Sequence, residues 1–95
     1  MKNLFKLNNK TALITGGGGL LGPKHAEALL EYGAEIILCD HHLDRVTKNS
    51  EKLNKMFNNK KCIPHYMDVT KKDTILNVIK KYSKIDILIN NAAKD

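Results

Sequence analysis

Residues 11–22 read TALITGGGGLLG, an apolar run that ends in four consecutive glycines, two leucines and a fifth glycine. Glycine loses more backbone freedom on folding than any other residue, so a folded chain that keeps such a run needs bare backbone there, at a turn or against a close neighbour. The residues just upstream, Thr11 to Thr15, have the β-branched and apolar character of a short strand. Just downstream, Pro23 lacks the N–H that the first turn of a helix leaves unpaired, and Gly33 supplies a natural stop after about Tyr32. The stretch therefore reads as strand, glycine turn, helix.

The rest of the chain repeats that alternation. Ala34 to Asp40 (AEIILCD) is a near-continuous apolar run, as expected of a strand covered on both faces of a parallel sheet. A helix follows, with Leu43, Val46, Leu53, Met56 and Phe57 at inward spacing and Lys48, Lys52 and Lys55 on the opposite face. Asn58 to Lys61 is a polar turn, and Cys62 to Met67 a third strand. Thr70 and Asp73 have the spacing of a capping box opening a third helix, whose stripe of Ile75, Val78, Ile79 and Tyr82 is expected in the core. Asp86 to Asn90 (DILIN) is the fourth strand. The pattern βαβαβαβ implies parallel pairing with right-handed crossovers, hence an α/β doubly wound, Rossmann-like sheet in the order 3-2-1-4. A full sheet of this type has two βαβαβ halves. This chain supplies one half plus a strand and ends two residues after NNAA, so residues 1–95 read as the N-terminal part of a single nucleotide-binding domain, truncated at the C-terminus.

Composition narrows the function classes. With 95 residues the chain holds at most one modest core. The net charge of +6 comes largely from lysines on the outer faces of the second and third helices. No aromatic residues interleave with them as a base-stacking platform requires, which argues against nucleic acid as partner. No apolar run approaches the roughly 20 residues that span a bilayer, and MKNLFKLNNK lacks the apolar core of a signal peptide, so the expectation is a cytoplasmic protein with no membrane partner. Cys39 and Cys62 both sit in apolar runs and are expected to be buried and unpaired.

Gly17, Gly19 and Gly22 satisfy G-x-G-x-x-G between a strand and a helix, and Asp40 ends the second strand 18 residues after Gly22. That spacing fits a dinucleotide site, with the pyrophosphate at the helix N-terminus and the acid on the adenosine ribose. A carboxylate there repels a 2′-phosphate, and no arginine precedes Arg45 to offset it, so NAD is favoured over NADP. Cys39, Asp40, His41 and His42 are all metal-ligand types, but neighbours on a strand point to alternate faces, and no metal site is expected. His25 and His65 read as isolated surface or packing residues.

These residues together resemble the short-chain dehydrogenase/reductase family: TALITGGGGLLG its cofactor turn, ILCD its ribose-binding strand end, MDVT its adenine-contacting segment and DILINNAA its fourth-strand signature, usually written NNAG. The resemblance implies an NAD-dependent oxidoreductase moving hydride between the nicotinamide and an alcohol or carbonyl. It puts Gly16, Gly18, Gly19, Leu21 and Gly22 around the pyrophosphate, Asp40 on the ribose, Asp68 and Val69 at the adenine, and Asn90 on the cofactor side of the fourth strand. The turn's spacing departs from the usual T-G-x-x-x-G-x-G, and Ala93 stands where the signature has glycine. GGxGLLG followed by Lys24, His25 and Ala26 is similar to oxidoreductases of bacterial surface-sugar and flagellin modification, which implies a small-molecule substrate of sugar type and a homo-oligomeric full-length protein. The family's proton-transfer pair, Tyr-x-x-x-Lys, is absent: Tyr32, Tyr66 and Tyr82 are followed at that offset by Ile36, Thr70 and Asp86. No catalytic residue is therefore nominated. A non-catalytic nucleotide-binding module or gene fragment, and a nucleotide-sugar epimerase or dehydratase, are the alternatives that share this half.

Overall fold

The computed structural model describes residues 6–92. The elements are β1 (Thr11–Thr15), α1 (Leu21–Glu31), β2 (Glu35–Asp40), α2 (Leu43–Phe57), β3 (Cys62–Tyr66), α3 (Lys72–Lys81) and β4 (Ile87–Ile89). All pairings are parallel and the strand order is β3-β2-β1-β4, as the alternation of elements predicts. In register, Ala12 lies between Ile36 and Ile87, and Ile14 between Leu38 and Ile89.

Side chains alternate across the sheet, and the two faces carry separate cores. On one face Ala12, Ile14, Ile36 and Leu38 meet Ala26 and Leu30 of α1 and Val46 and Leu53 of α2. On the other, Leu13, Ile37 and Cys39 meet Met67 and Val78 of α3. Five of the six residues of β2 are buried, which is why its sequence reads as continuous rather than alternating apolar. The helix termini follow ordinary chemistry. Pro23 falls in the first turn of α1, and Gly33 follows its C-cap at φ +94°, the left-handed conformation that glycine adopts without strain.

Several expectations are corrected. The stripe of α2 runs through Val46, Ser50 and Leu53, while Leu43 and Met56 are 49% and 60% exposed. Helical spacing selects a face but not how far the neighbouring element reaches across it. Ser50 sits in the core because the Cys62 thiol donates to its hydroxyl at 3.4 Å. Ile79 of α3 is 51% exposed, because among the described residues α3 alone covers that face of the sheet. The Thr70–Asp73 capping box does not form: α3 starts at Lys72 without a side-chain cap, and the Thr70 hydroxyl donates instead to Asp68 Oδ1 at 2.7 Å. The fourth strand is shorter than DILIN, because Asp86 serves β1: Thr11 N–H donates to its Oδ2 at 2.9 Å, and its own N–H donates to Thr11 O at 2.8 Å. Within β4 only Leu88 is exposed; Ile87 and Ile89 pack against the α1/α2 core, as does Ile85 against the other. Ala93 lies outside the described residues.

Candidate functional site

Strand order reverses at β1, with β2 on one side and β4 on the other. In open α/β sheets ligands bind beyond the carboxyl ends of the strands at this switch point. An open cleft of about 640 Å³ lies there. Gly16, Gly18, Gly19 and Leu21 line it from the glycine turn, Asp40 from the end of β2, and Asp68 and Val69 from the loop after β3. Two of the residues singled out in the sequence are placed elsewhere. Gly22 is buried behind the turn, where a Cβ would come within 2.5 Å of the Gly16 carbonyl oxygen; its role in the fold is to let α1 start against β1. Asn90 lines the neighbouring apolar hollow on the α3 face, while Asn91 and Ala92 reach the cleft.

The turn is held from three directions. Gly17 N–H donates to Cys39 O at 2.8 Å, Gly18 N–H to Asp40 Oδ2 at 2.8 Å, and Gly19 N–H to Gly16 O at 3.2 Å. These three donors have internal partners, so the backbone donors left for a ligand are those of the first turn of α1, where helix geometry leaves N–H groups unpaired. A Cβ on Gly18 would meet Asp40 Cγ at 2.9 Å, so that glycine lets the carboxylate dock on the turn. Gly19 differs: a Cβ there would meet nothing nearer than 3.6 Å. Nothing inside the protein requires glycine at a position that faces the cleft, and this fits a ligand passing close to its backbone.

Two braces were not legible in the sequence. Asn49 on α2 donates its side-chain N–H to Gly17 O at 2.7 Å. Thr15 donates to Asn90 Oδ1 at 3.0 Å and its hydroxyl accepts the N–H groups of Asn91 and Ala92, also at 3.0 Å, tying the exit of β4 to the glycine turn. Such bonds link residues 32 to 77 positions apart, and neither partner has a local pattern that announces the other.

Burial pushes the Asp40 carboxyl towards neutrality, but the backbone N–H groups of His42 and Gly18, the His42 ring and the charge of His41 outweigh it, and the net effect holds its pKa below the ordinary carboxylate value. Asp40 therefore faces the cleft as an anion, with lone pairs beyond those used by its backbone partners. Asp68 is also held low, chiefly by the hydroxyl and backbone N–H of Thr70. Its loop is tied to α3 through Thr74, whose hydroxyl accepts Asp68 N–H at 3.0 Å.

The alternation argument against convergence of Cys39, Asp40, His41 and His42 holds only in part. Cys39 is buried on the α3 face, but β2 ends at Asp40 and the chain bends, so both histidine rings turn towards the Asp40 carboxylate.

A family profile described as short chain dehydrogenase matches residues 10–94. This chain belongs to the short-chain dehydrogenase/reductase family. The peroxisomal 2,4-dienoyl-CoA reductase of Danio rerio is 35% identical over 91 residues, covering 92% of this chain and 30% of that protein. The NAD(+) 15-hydroxyprostaglandin dehydrogenase of Mus musculus is 36% identical over 90 residues, covering 90% and 34%. Among solved structures, a short-chain dehydrogenase/reductase from Mycobacterium marinum superposes with a TM-score of 0.79 at 30% identity, over 92% of this chain and 36% of that one. The chain thus spans about a third of the length of the family members it matches. The family is one of oxidoreductases that use nicotinamide cofactors on small molecules. Among the described residues no helix is long and apolar enough to cross a membrane.

Proposed function

We propose that this chain is the cofactor-binding portion of an NAD-dependent oxidoreductase that moves hydride between the nicotinamide and an alcohol or carbonyl substrate. The observation that carries the reading is the meeting of the glycine turn and the Asp40 carboxylate at the switch-point cleft, joined by the Gly18–Asp40 hydrogen bond. NAD, when bound, supplies the hydride acceptor or donor. The protein's own part is to bind and orient. Leu21 and the first turn of α1 present unpaired N–H groups and partial positive charge to the pyrophosphate. Gly16, Gly18 and Gly19 keep that approach free of side chains, with Gly22 supporting them from behind. Asp40 accepts from the ribose hydroxyls and disfavours a 2′-phosphate, and Asp68 and Val69 border the adenine. Asn90, outside the cleft, accepts from Thr15 and fixes the exit of β4 beside the turn, which brings Asn91 and Ala92 to the cofactor side.

A mouse relative named for NAD(+) supports the choice of cofactor, and the relatives' names, reductase and dehydrogenase, favour plain redox chemistry over epimerisation. A sugar-derived substrate and a homo-oligomeric full-length protein rest on the sequence resemblance alone. A reducing, cytoplasmic setting is supported by two buried, unpaired thiols.

Calorimetric titration with NAD and NADP tests the proposal. NAD is expected to bind at least about tenfold more tightly, equivalent to ~1.4 kcal/mol. Failure of both to bind overturns the cofactor reading, and tighter NADP binding overturns the role of Asp40.

A further inference from the structure

The end of β2 carries a ligand set that cofactor binding does not use in full. His41 Nδ1 lies 3.5 Å and His42 Nδ1 3.2 Å from Asp40 Oδ1, the two rings are 3.9 Å apart, and one ligand atom from each residue falls within 4.8 Å of the others. Tetrahedral Zn²⁺ with bonds of about 2.0–2.1 Å sets its ligand atoms roughly 3.3 Å apart. Both N···O separations lie close to that tetrahedral edge. The carboxylate is already oriented by backbone N–H groups from His42 and Gly18, each at 2.8 Å, the outer support that ligating carboxylates have at metal centres. The histidine side chains are 57% and 44% exposed, so an ion has a path in and an open position for water. Asp44 in the first turn of α2 and Asp68 across the cleft add negative charge, against the opposing charge of Arg45 and of the α2 N-terminus.

We infer that Asp40, His41 and His42 form a binding site for a divalent transition metal ion of the Zn²⁺ type, and that an ion held there excludes the cofactor from Asp40. The exclusion rests on the reading of Asp40 as the ribose-binding acid: an ion on Asp40 would neutralise the carboxylate's charge and take up the lone pairs and space that the ribose hydroxyls would use. The site would make cofactor affinity depend on free zinc, through three consecutive residues.

The test is titration of this chain with Zn²⁺ by calorimetry, and with Co²⁺ by its visible d–d absorption. One ion per chain is expected, with affinity falling at least about tenfold in His41→Ala and in His42→Ala. His25→Ala, at an exposed position on α1, should bind as the parent does. A free Zn²⁺ concentration about ten times the parent's Zn²⁺ Kd should raise the apparent Kd for NAD about tenfold in the parent and by about twofold at most in His42→Ala. Absence of Zn²⁺ binding, or binding that survives both histidine variants, overturns the site. Equal NAD affinity with and without bound Zn²⁺ overturns the exclusion. If the metal-free chain binds no NAD, the cofactor reading fails and the exclusion with it, while the Zn²⁺ titration still decides the metal site. Melting curves of each variant separate loss of ligands from loss of fold.

Discussion

The backbone N–H of Gly18 and the carboxylate of Asp40, 22 residues apart, meet at 2.8 Å, so the glycine turn and the acid that ends β2 are one hydrogen-bonded unit. A change at either should be felt at the other.

Gly18→Ala and Gly19→Ala separate fold from function. A methyl on Gly18 collides with the Asp40 carboxyl, whereas one on Gly19 makes ordinary contact at 3.6 Å. Gly18→Ala should lose roughly 1–3 kcal/mol of stability, the usual range for overpacking. Gly19→Ala should stay within about 0.5 kcal/mol of the parent yet weaken NAD binding. Thermal melts and NAD calorimetry on the pair read both effects, and equal stability of the two variants would contradict the docking of Asp40 on the turn.

Acid stability should report the buried carboxylate. Folding lowers the Asp40 pKa, and those of Asp68 and Asp86 move the same way. A lowered folded-state value contributes stability that is fully present above the unfolded value of about 3.9 and is lost as pH falls through the folded value. The melting temperature should therefore be insensitive to these groups near neutrality and drop below about pH 4. Asp40→Asn should flatten that acid limb and narrow the NAD preference over NADP; an unchanged limb would mean that Asp40 is not held as an anion.

Much of this was legible locally. The strand order follows from the alternation of elements, and Asp40 stands out because an acid ends an apolar run at a fixed distance from a glycine turn. What escaped depends on neighbours in space. Helical spacing groups Leu43 and Met56 with Val46, Leu53 and Phe57, but α2 meets the core only through the last three of these. Ile79 has core spacing, but the sheet face beside it is only partly covered. The convergence of His41 and His42 depends on backbone angles where β2 ends, which residue type does not determine.

The cysteines should stay reduced. Cys62 pairs in register with Ile36, three residues before Cys39, which sets the two about 10 Å apart along the strands at ~3.3 Å per residue. They also belong to cores on opposite faces of the sheet. A bridge needs Cα atoms within roughly 7 Å. Burial, then the neighbouring Asp40 charge, pushes the Cys39 thiol up to about 12, so the native chain should alkylate slowly at neutral pH. Thiol titration should count two groups after denaturation, and a count of zero in a monomer would refute the register.

This chain, made alone, should self-associate and show no dehydrogenase activity. Activity is expected to be absent because none of its three tyrosines is followed four residues later by lysine. Association follows from β4, which ends the sheet order and leaves one edge of its backbone unpaired among the described residues. Beside it lies an apolar hollow of about 530 Å³ bordered by Ile79, Ile85 and Leu88. Leu88 is 68% and Ile79 51% exposed, an apolar surface next to a free strand edge. Leu88→Lys puts a charge on that surface without touching the α1/α2 core, so it should reduce association while leaving the melting temperature nearly unchanged. Light scattering on parent and variant at tens of micromolar makes the comparison. A parent that is monodisperse and monomeric, melting cooperatively, would show that the β4 edge is protected and that the hollow is not an adhesive surface.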